Sequence, residues 1–258
     1  MSGFFDKQKI IIIMAGGEGK RMGSTLPKVL HEVDSMPMIV KIIHEALLIN
    51  PRKIFIVVGK HRYIIEDVIK KNIDSDKIEF IDQYTPKGTG HAIMSCKKKI
   101  SRYNFSNVLI LSGDVPCITH NTMMKMFKDM KVCRIAVFNT DCPAGYGRII
   151  TKNNNFVKIV EHKDATYEEL KIMLVNSGLY CFDTPTLCKY LPFLKNNNSQ
   201  GEYYITDLPE IIIRNEKEPV DMYLMPDTKR IEVKGVNTQK ELKEVNDYLE
   251  TLKLAYEF

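Results

Sequence analysis

Over its first 140 positions the chain alternates short, uninterrupted apolar runs with longer amphipathic stretches. Ile10-Ile11-Ile12-Ile13, Lys53 to Val58, Ile78 to Ile81, Val108 to Leu111 and Ile135 to Phe138 read as strands. Runs that lack polar alternation suit strands covered on both faces. Between them, Met38 to Leu48, Ile64 to Ile69, His91 to Ile100 and Thr122 to Met130 carry helical spacing. Such alternation predicts an α/β fold with a mixed, mostly parallel, Rossmann-like sheet and helices on both faces.

After residue 140 the pattern changes. Gly147 to Thr151 and Phe156 to Glu161 flank Asn153-Asn154-Asn155 and read as a hairpin. Val175 to Phe182 is a further strand, and Pro185 to Leu194 and Ile205 to Asn215 read as helices. Leu242, Val245, Leu249, Leu252 and Tyr256 stripe the last helix, which must pack on the body or on a partner chain. The simplest division is one mixed domain over residues 1–237 and a C-terminal helix over 238–258.

The 258 residues are 44% hydrophobic and 27% charged, ordinary for a globular protein. No apolar run approaches the ~20 residues of a membrane span, so no membrane partner is expected. The formal net charge of +5 is modest. Lys97-Lys98-Lys99, the densest basic run, reads as a solvated helix face, so a small anionic substrate is expected rather than nucleic acid. The six cysteines contain no C-x-x-C pair and suit reduced, buried thiols in the cytoplasm. Met1 to Lys9 lacks the apolar core of a signal peptide.

The first strand runs directly into Met14-Ala15-Gly16-Gly17-Glu18-Gly19-Lys20-Arg21-Met22. Glycines there let loop amides approach a ligand, and consecutive amides form an anion-binding concavity. Arg21 and Lys28 add charge, and Pro27 stiffens the backbone that presents Lys28. The loop therefore reads as a polyphosphate cradle at a strand's carboxyl end. The two familiar glycine signatures fail on spacing. A dinucleotide fingerprint needs glycine or alanine where Met22 stands, and a P-loop needs glycine at Met14 and Ser or Thr at Arg21.

Gly17 to Met22 with Leu26-Pro27-Lys28 resembles the G-x-G-T-R-M and P-K signature of the sugar-phosphate nucleotidylyltransferases. Gly88-Thr89-Gly90-His91-Ala92, Gly113-Asp114-Val115-Pro116, Gly145 to Ile149, Val160 to Ala165, Gly201 to Asp207 and Gly235-Val236-Asn237 are similar to one branch. That branch is the uridylyltransferase domain of the bacterial bifunctional GlmU enzymes. The resemblance implies that UMP passes from UTP to N-acetylglucosamine 1-phosphate, releasing pyrophosphate, with Mg²⁺ as cofactor.

The same resemblance implies roles. Arg21 and Lys28 would grip the triphosphate and act in catalysis. Asp114 and Asn237 would ligate the metal, and Asn237 would also touch substrate. Met14, Ala15, Gly16, Gly17, Ser112 and Gly113 would line the nucleotide. Gln83, Gly88 and Thr89 would hold the base. A Gln amide can pair with uracil or, rotated, with cytosine, so base choice needs a second fixed group. Gly147, Glu161, Asn176 and Tyr204 would read the sugar. The chain departs from the usual pattern at Gly16, Lys20, Pro86, Ser112 and Ser177, and Lys20 would add a cation near the phosphates. Hexapeptide repeats of the bifunctional enzymes' β-helix do not occur in these residues, so no acetyl transfer is expected. Transfer to another hexose 1-phosphate, or a binding role without turnover, is the alternative.

Overall fold

The computed structural model describes residues 7–17 and 19–256, without the side chains at 20 and 255–256. The readings of Glu18 and of the Lys20 and Tyr256 side chains lie outside the described residues.

In chain order, β1 is Gln8–Met14, and β2 (Glu32–Val33) and β3 (Met36–Pro37) form a two-stranded ribbon. α1 (Met38–Leu48), β4 (Lys53–Val58), α2 (Arg62–Asn72) and β5 (Ile78–Asp82) follow. Next are α3 (Thr89–Ile100), β6 (Ser106–Ser112), α4 (His120–Phe127) and β7 (Cys133–Asn139). The second half adds β8 (Arg148–Lys152), β9 (Asn155–Val160), α5 (Tyr167–Leu170) and β10 (Leu174–Asp183). It ends with α6 (Thr184–Tyr190), α7 (Leu208–Glu216), β11 (Asp221–Leu224) and α8 (Gln239–Tyr256).

The main sheet has the order β11-β7-β10-β6-β1-β4-β5, with the β8–β9 hairpin attached to β10. Along that path only β10 runs antiparallel to its neighbours. The expected mixed, mostly parallel sheet is therefore present. Ile11, Ile13, Leu109 and Leu111 face a core shared with α1 and α4. Ile10, Ile12, Val108 and Ile110 face the opposite core, with α3, α6 and α7. Burial on both faces is why these strands carry no polar alternation. From β1 the chain passes to β4 on one side and later to β6 on the other. That reversal opens a crevice at the carboxyl ends of β1 and β6, where open α/β sheets bind ligands.

Some boundaries differ from the sequence reading. The helix expected over Thr122 to Met130 runs His120–Phe127, because Lys128 is extended and Asp129 adopts φ 53°. The Arg134 guanidinium takes the carbonyls of Lys125 (2.6 Å) and Met126 (3.4 Å), which a helix running to Met130 would have used, and that of Lys128 (2.5 Å). Pro185 to Leu194 divides into α6 and a 3-10 turn at Leu191–Phe193, where Pro192 has no N–H to continue the α ladder. Ile205–Asp207 is likewise a 3-10 turn ahead of α7. The apolar stripe of the last helix folds back on the body. Val245 is fully buried with Met22, Val33, Met38 and Val236, and Leu242 and Leu249 pack beside it. All six cysteines are free thiols, and Cys142 is exposed rather than buried.

Candidate active site

The opening loop is drawn back over the crevice by two close approaches. Gly19 has φ 62°, and a Cβ there would stand 2.7 Å from the Cβ of Lys28, so only glycine lets the loop close on this lysine. The buried side chains of Val29 and Leu30 then anchor the turn that carries Lys28. A Cβ on Gly113 would sit 3.0 Å from the Met14 carbonyl oxygen and from Val29 Cγ1. Gly113 donates to that same carbonyl at 2.9 Å, which ties β6 to β1 at their carboxyl ends.

Four polar side chains meet there. The Lys28 ammonium pairs with Asp114 Oδ2 and donates to Asn237 Oδ1 at 3.1 Å. Arg21 Nη2 donates to the same Asn237 oxygen at 3.0 Å. Ser112 Oγ donates to Asp114 Oδ1 at 2.6 Å. Asn237 is fixed from behind: its N–H donates to Glu241 Oε2 at 2.8 Å, and Glu241 and Thr238 bond each other at the start of α8. The Val236 N–H donates to the Asp114 carbonyl at 2.8 Å, so the two oxygen-bearing residues share one backbone link.

Asp114 and Asn237 thus turn oxygens toward a single cationic atom, the Lys28 nitrogen. A hard divalent ion fits that donor chemistry. No cluster of three or more His, Cys, Asp or Glu side chains suited to a metal occurs among the described residues. An ion here would complete its shell with substrate phosphate and water.

Gln83 lines the same cleft and is 6% exposed. Its Nε2 donates to the Gly88 carbonyl at 3.2 Å and lies 3.1 Å from His91 Nδ1. Burial, helped by nearby Lys87, holds His91 below the usual histidine range, so its neutral ring can accept at Nδ1. Both amide N–H groups are then occupied, and Oε1 is the atom presented to a ligand. A Cβ on Gly16 would stand 3.2 Å from that oxygen.

The cleft measures about 240 Å³ and is lined by Met14, Gly16, Gly17, Gln83, Gly88, Thr89 and Ser112, together with Lys28 and Asp114. Ala15 is almost fully buried, and its N–H donates to Val57 O. Its methyl belongs to the core. The Thr89 hydroxyl accepts from the Ile205 N–H at 3.1 Å, and Gly90 N–H donates to Tyr203 O at 2.7 Å. A Cβ on Gly88 would fall 2.6 Å from that Tyr203 oxygen. Residues 201–206 therefore lie directly on the 88–90 turn, and Glu202 joins the cleft wall. Nothing in the Gly201 to Asp207 motif marks Glu202 as a cleft residue; its place there follows from the contact of this segment with the 88–90 turn.

Gly147, Glu161 and Asn176 gather on the β8–β10 side. A Cβ on Gly147 would stand 2.9 Å from Ile159 Cγ2, 3.6 Å from Glu161 Oε2 and 3.7 Å from Asn176 Cβ. Burial raises the Glu161 carboxyl above the usual range, and the Thr206 hydroxyl, donating at 3.0 Å, partly offsets this. Asn176 is placed by a bulge in β10 between Asn176 and Tyr180. Its Nδ2 donates to the Tyr180 hydroxyl at 2.6 Å, and its Oδ1 accepts from the Gly178 N–H at 3.2 Å. One amide hydrogen remains for a ligand. Tyr204 is buried, and its hydroxyl accepts from Gln200 at 2.7 Å. The segment 201–206 bridges the two groups, from Glu202 in the cleft to Thr206 on Glu161.

A family model described as nucleotidyl transferase matches residues 10–227. The chain belongs to the nucleotidyl transferase family. A protein of Acanthamoeba polyphaga mimivirus named "Probable UDP-N-acetylglucosamine pyrophosphorylase" is 38% identical over 247 residues, 94% of this chain and 95% of that protein. The bifunctional protein GlmU of Clostridium botulinum (strain 657 / Type Ba4) is 38% identical over 238 residues, 90% of this chain. The chain spans half the length of that protein. Among solved structures, a UDP-glucose pyrophosphorylase complexed with UDP-glucose superposes with a TM-score of 0.75 at 20% identity, covering 95% of this chain and 99% of that one. That likeness shows the nucleotidyl transferase family's fold.

Proposed function

We propose that the chain transfers UMP from UTP to N-acetylglucosamine 1-phosphate, giving UDP-N-acetylglucosamine and pyrophosphate. The convergence of Lys28, Arg21, Asp114 and Asn237, two of them lining the same cleft as the Gln83 amide, carries this reading. The name of the similar mimivirus protein, a probable UDP-N-acetylglucosamine pyrophosphorylase, supports the choice of sugar.

An oxygen of the sugar phosphate attacks the α-phosphorus of UTP, and the bond from that phosphorus to the pyrophosphate oxygen breaks. The nucleophile is already ionised at neutral pH, so alignment and charge neutralisation are the tasks of the protein. Arg21 and Lys28 balance the charge that collects on pyrophosphate. Asp114 and Asn237 would hold Mg²⁺, which would neutralise phosphate charge when bound. Gln83 Oε1 accepts from uracil N3–H, a proton that cytosine lacks. Glu161 accepts from sugar hydroxyls, Asn176 donates its remaining hydrogen, and the Gly147 backbone faces the acetamido group beside Tyr204. Residues 1–237 would form the domain that supplies these groups, and Glu241 on α8 (Gln239–Tyr256) accepts from the Asn237 N–H and so steadies it. Free thiols and a nucleotide substrate suit a cytoplasmic setting.

Pyrophosphate release, measured with each nucleoside triphosphate against N-acetylglucosamine 1-phosphate, glucose 1-phosphate and glucosamine 1-phosphate, tests the reading. Turnover with UTP and the acetylated sugar, dependent on Mg²⁺, is expected. Turnover confined to another sugar, or binding without turnover, would overturn it.

A further inference from the structure

A second cleft, of about 610 Å³, opens at the opposite end of the strands that carry the first. Lys9 on β1 and Asn107 on β6 are register partners at the amino-terminal ends of those strands, so their side chains share a sheet face. α4 and the residue after it close the other side, with Asn121, Lys125, Phe127 and Lys128. None of these residues has a role in the nucleotide or sugar groups described above.

Charge in this cleft is one-sided. Five lysines line it against one carboxylate, Asp129. Lys7 and Lys229 are neutralised by Asp183 (2.6 Å) and Glu232 (2.7 Å). Lys9 and Lys128 make no ion pair among the described residues, and the closest ring partner of Lys125 is Tyr223, 6.0 Å from its nitrogen to the ring centroid. The carbonyls at the end of α4, which would repel an anion, are covered by Arg134.

The cleft also holds an unpaired buried amide. Asn107 is 6% exposed, lines the cleft, and has no partner at Oδ1. A buried polar atom without a partner is costly and marks a place where a ligand or water completes the bonding. No internal bond holds this amide, so a half-turn about χ2 presents its N–H donors instead. Unpaired ammonium groups, two amides and the ring of Phe127 around this volume match a small phosphorylated molecule.

We propose that this cleft is a second ligand site, for a compact anion carrying adjacent phosphates, held by Lys9, Lys125, Lys128 and Asn107. The site does not depend on the reaction assigned to the first cleft.

Equilibrium dialysis with radiolabelled pyrophosphate counts the sites directly. The whole chain is expected to bind two per molecule. A Lys9→Gln/Lys128→Gln variant should bind one, with unchanged turnover and a thermal midpoint within about 2 °C of the parent. Asn107→Leu should weaken the second site at least tenfold and leave the first alone. An Arg21→Ala/Lys28→Ala variant should keep the second site and lose the first, which separates this proposal from the assigned reaction. UDP in place of pyrophosphate shows whether a nucleoside adds affinity. One site in the parent chain, two sites retained in Lys9→Gln/Lys128→Gln, or displacement of pyrophosphate from this cleft by micromolar duplex DNA would overturn the proposal.

Discussion

Lys28 and Asn237 stand 209 positions apart, and the lysine ammonium donates to the asparagine oxygen at 3.1 Å. Asp114 and Arg21 complete the same contact set. This contact joins the Lys28–Leu30 turn to the entry of α8 and fixes Lys28 at the wall of the cleft. Removing the oxygen with Asn237→Ala is expected to lower kcat about 100-fold. The UTP KM should change far less. Chelation with EDTA should abolish turnover in the parent enzyme, and added Mg²⁺ should restore it. A steady-state comparison across Mg²⁺ concentrations checks both, and undiminished kcat in the variant would refute the placement.

The Gln83 amide is oriented through a neutral His91. Histidine in the unfolded chain titrates near pH 6.5, and burial holds His91 lower. As pH falls below about 6.5 the unfolded chain takes up this proton first, so folding loses stability there. Once His91 itself is protonated, Nδ1 becomes a donor and can no longer accept from Gln83. Preference for UTP over CTP should therefore weaken in acid. His91→Asn, with an amide oxygen to take the same bond, should flatten that pH dependence. Paired kcat/KM measurements between pH 5 and 8 read the effect directly.

At Gly147 the margin is steric. The added methyl of Gly147→Ala would meet Ile159 Cγ2 at 2.9 Å and narrow the gap to Glu161 and Asn176. The expected result is a sugar phosphate KM raised about tenfold with the UTP KM unchanged. Overpacking of this kind also costs about 1–3 kcal/mol, visible as a lower urea midpoint. Equal effects on both substrates would argue against a sugar role for this position.

Asp207 ends the 3-10 turn just ahead of α7, near Glu210, Glu161 and Asp164. Burial first, and then those carboxylates, push its acid up to about 6. The native state holds this proton over a range where the unfolded chain has released it. Its contribution to stability is therefore full below about pH 4 and gone above about pH 6. Asp207→Asn should raise the thermal midpoint by about 2–4 °C at pH 7.5 and leave it unchanged at pH 4. Calorimetry at the two values tests this.

The buried strands were legible because burial on both faces leaves an uninterrupted apolar run, as at Ile10 to Ile13. β11 was not read from sequence: it is a four-residue edge strand with two exposed positions, Asp221 and Leu224. α5 was equally silent, being a single turn with no buried residue. The loop chemistry of Arg21 and Lys28 was visible from spacing, and Asn237 was visible through its motif. What joins them was not, because the contact spans the chain. The β10 bulge at Asn176 carries no compositional mark beyond Gly178, whose φ is 81°. Glu202 and Thr206 gained meaning only once the 201–206 segment was seen to lie across both groups.

Asn237 follows every strand of the sheet in chain order. During synthesis, segments fold from the amino terminus as they emerge. Arg21, Lys28 and Asp114 leave the ribosome well before the asparagine that joins them. A nascent chain has its sheet strands in hand before it owns the finished Lys28–Asn237 contact. On the roles proposed above, translation products that stop short of Asn237 lack this group, so full activity would report that the polypeptide has been read as far as α8.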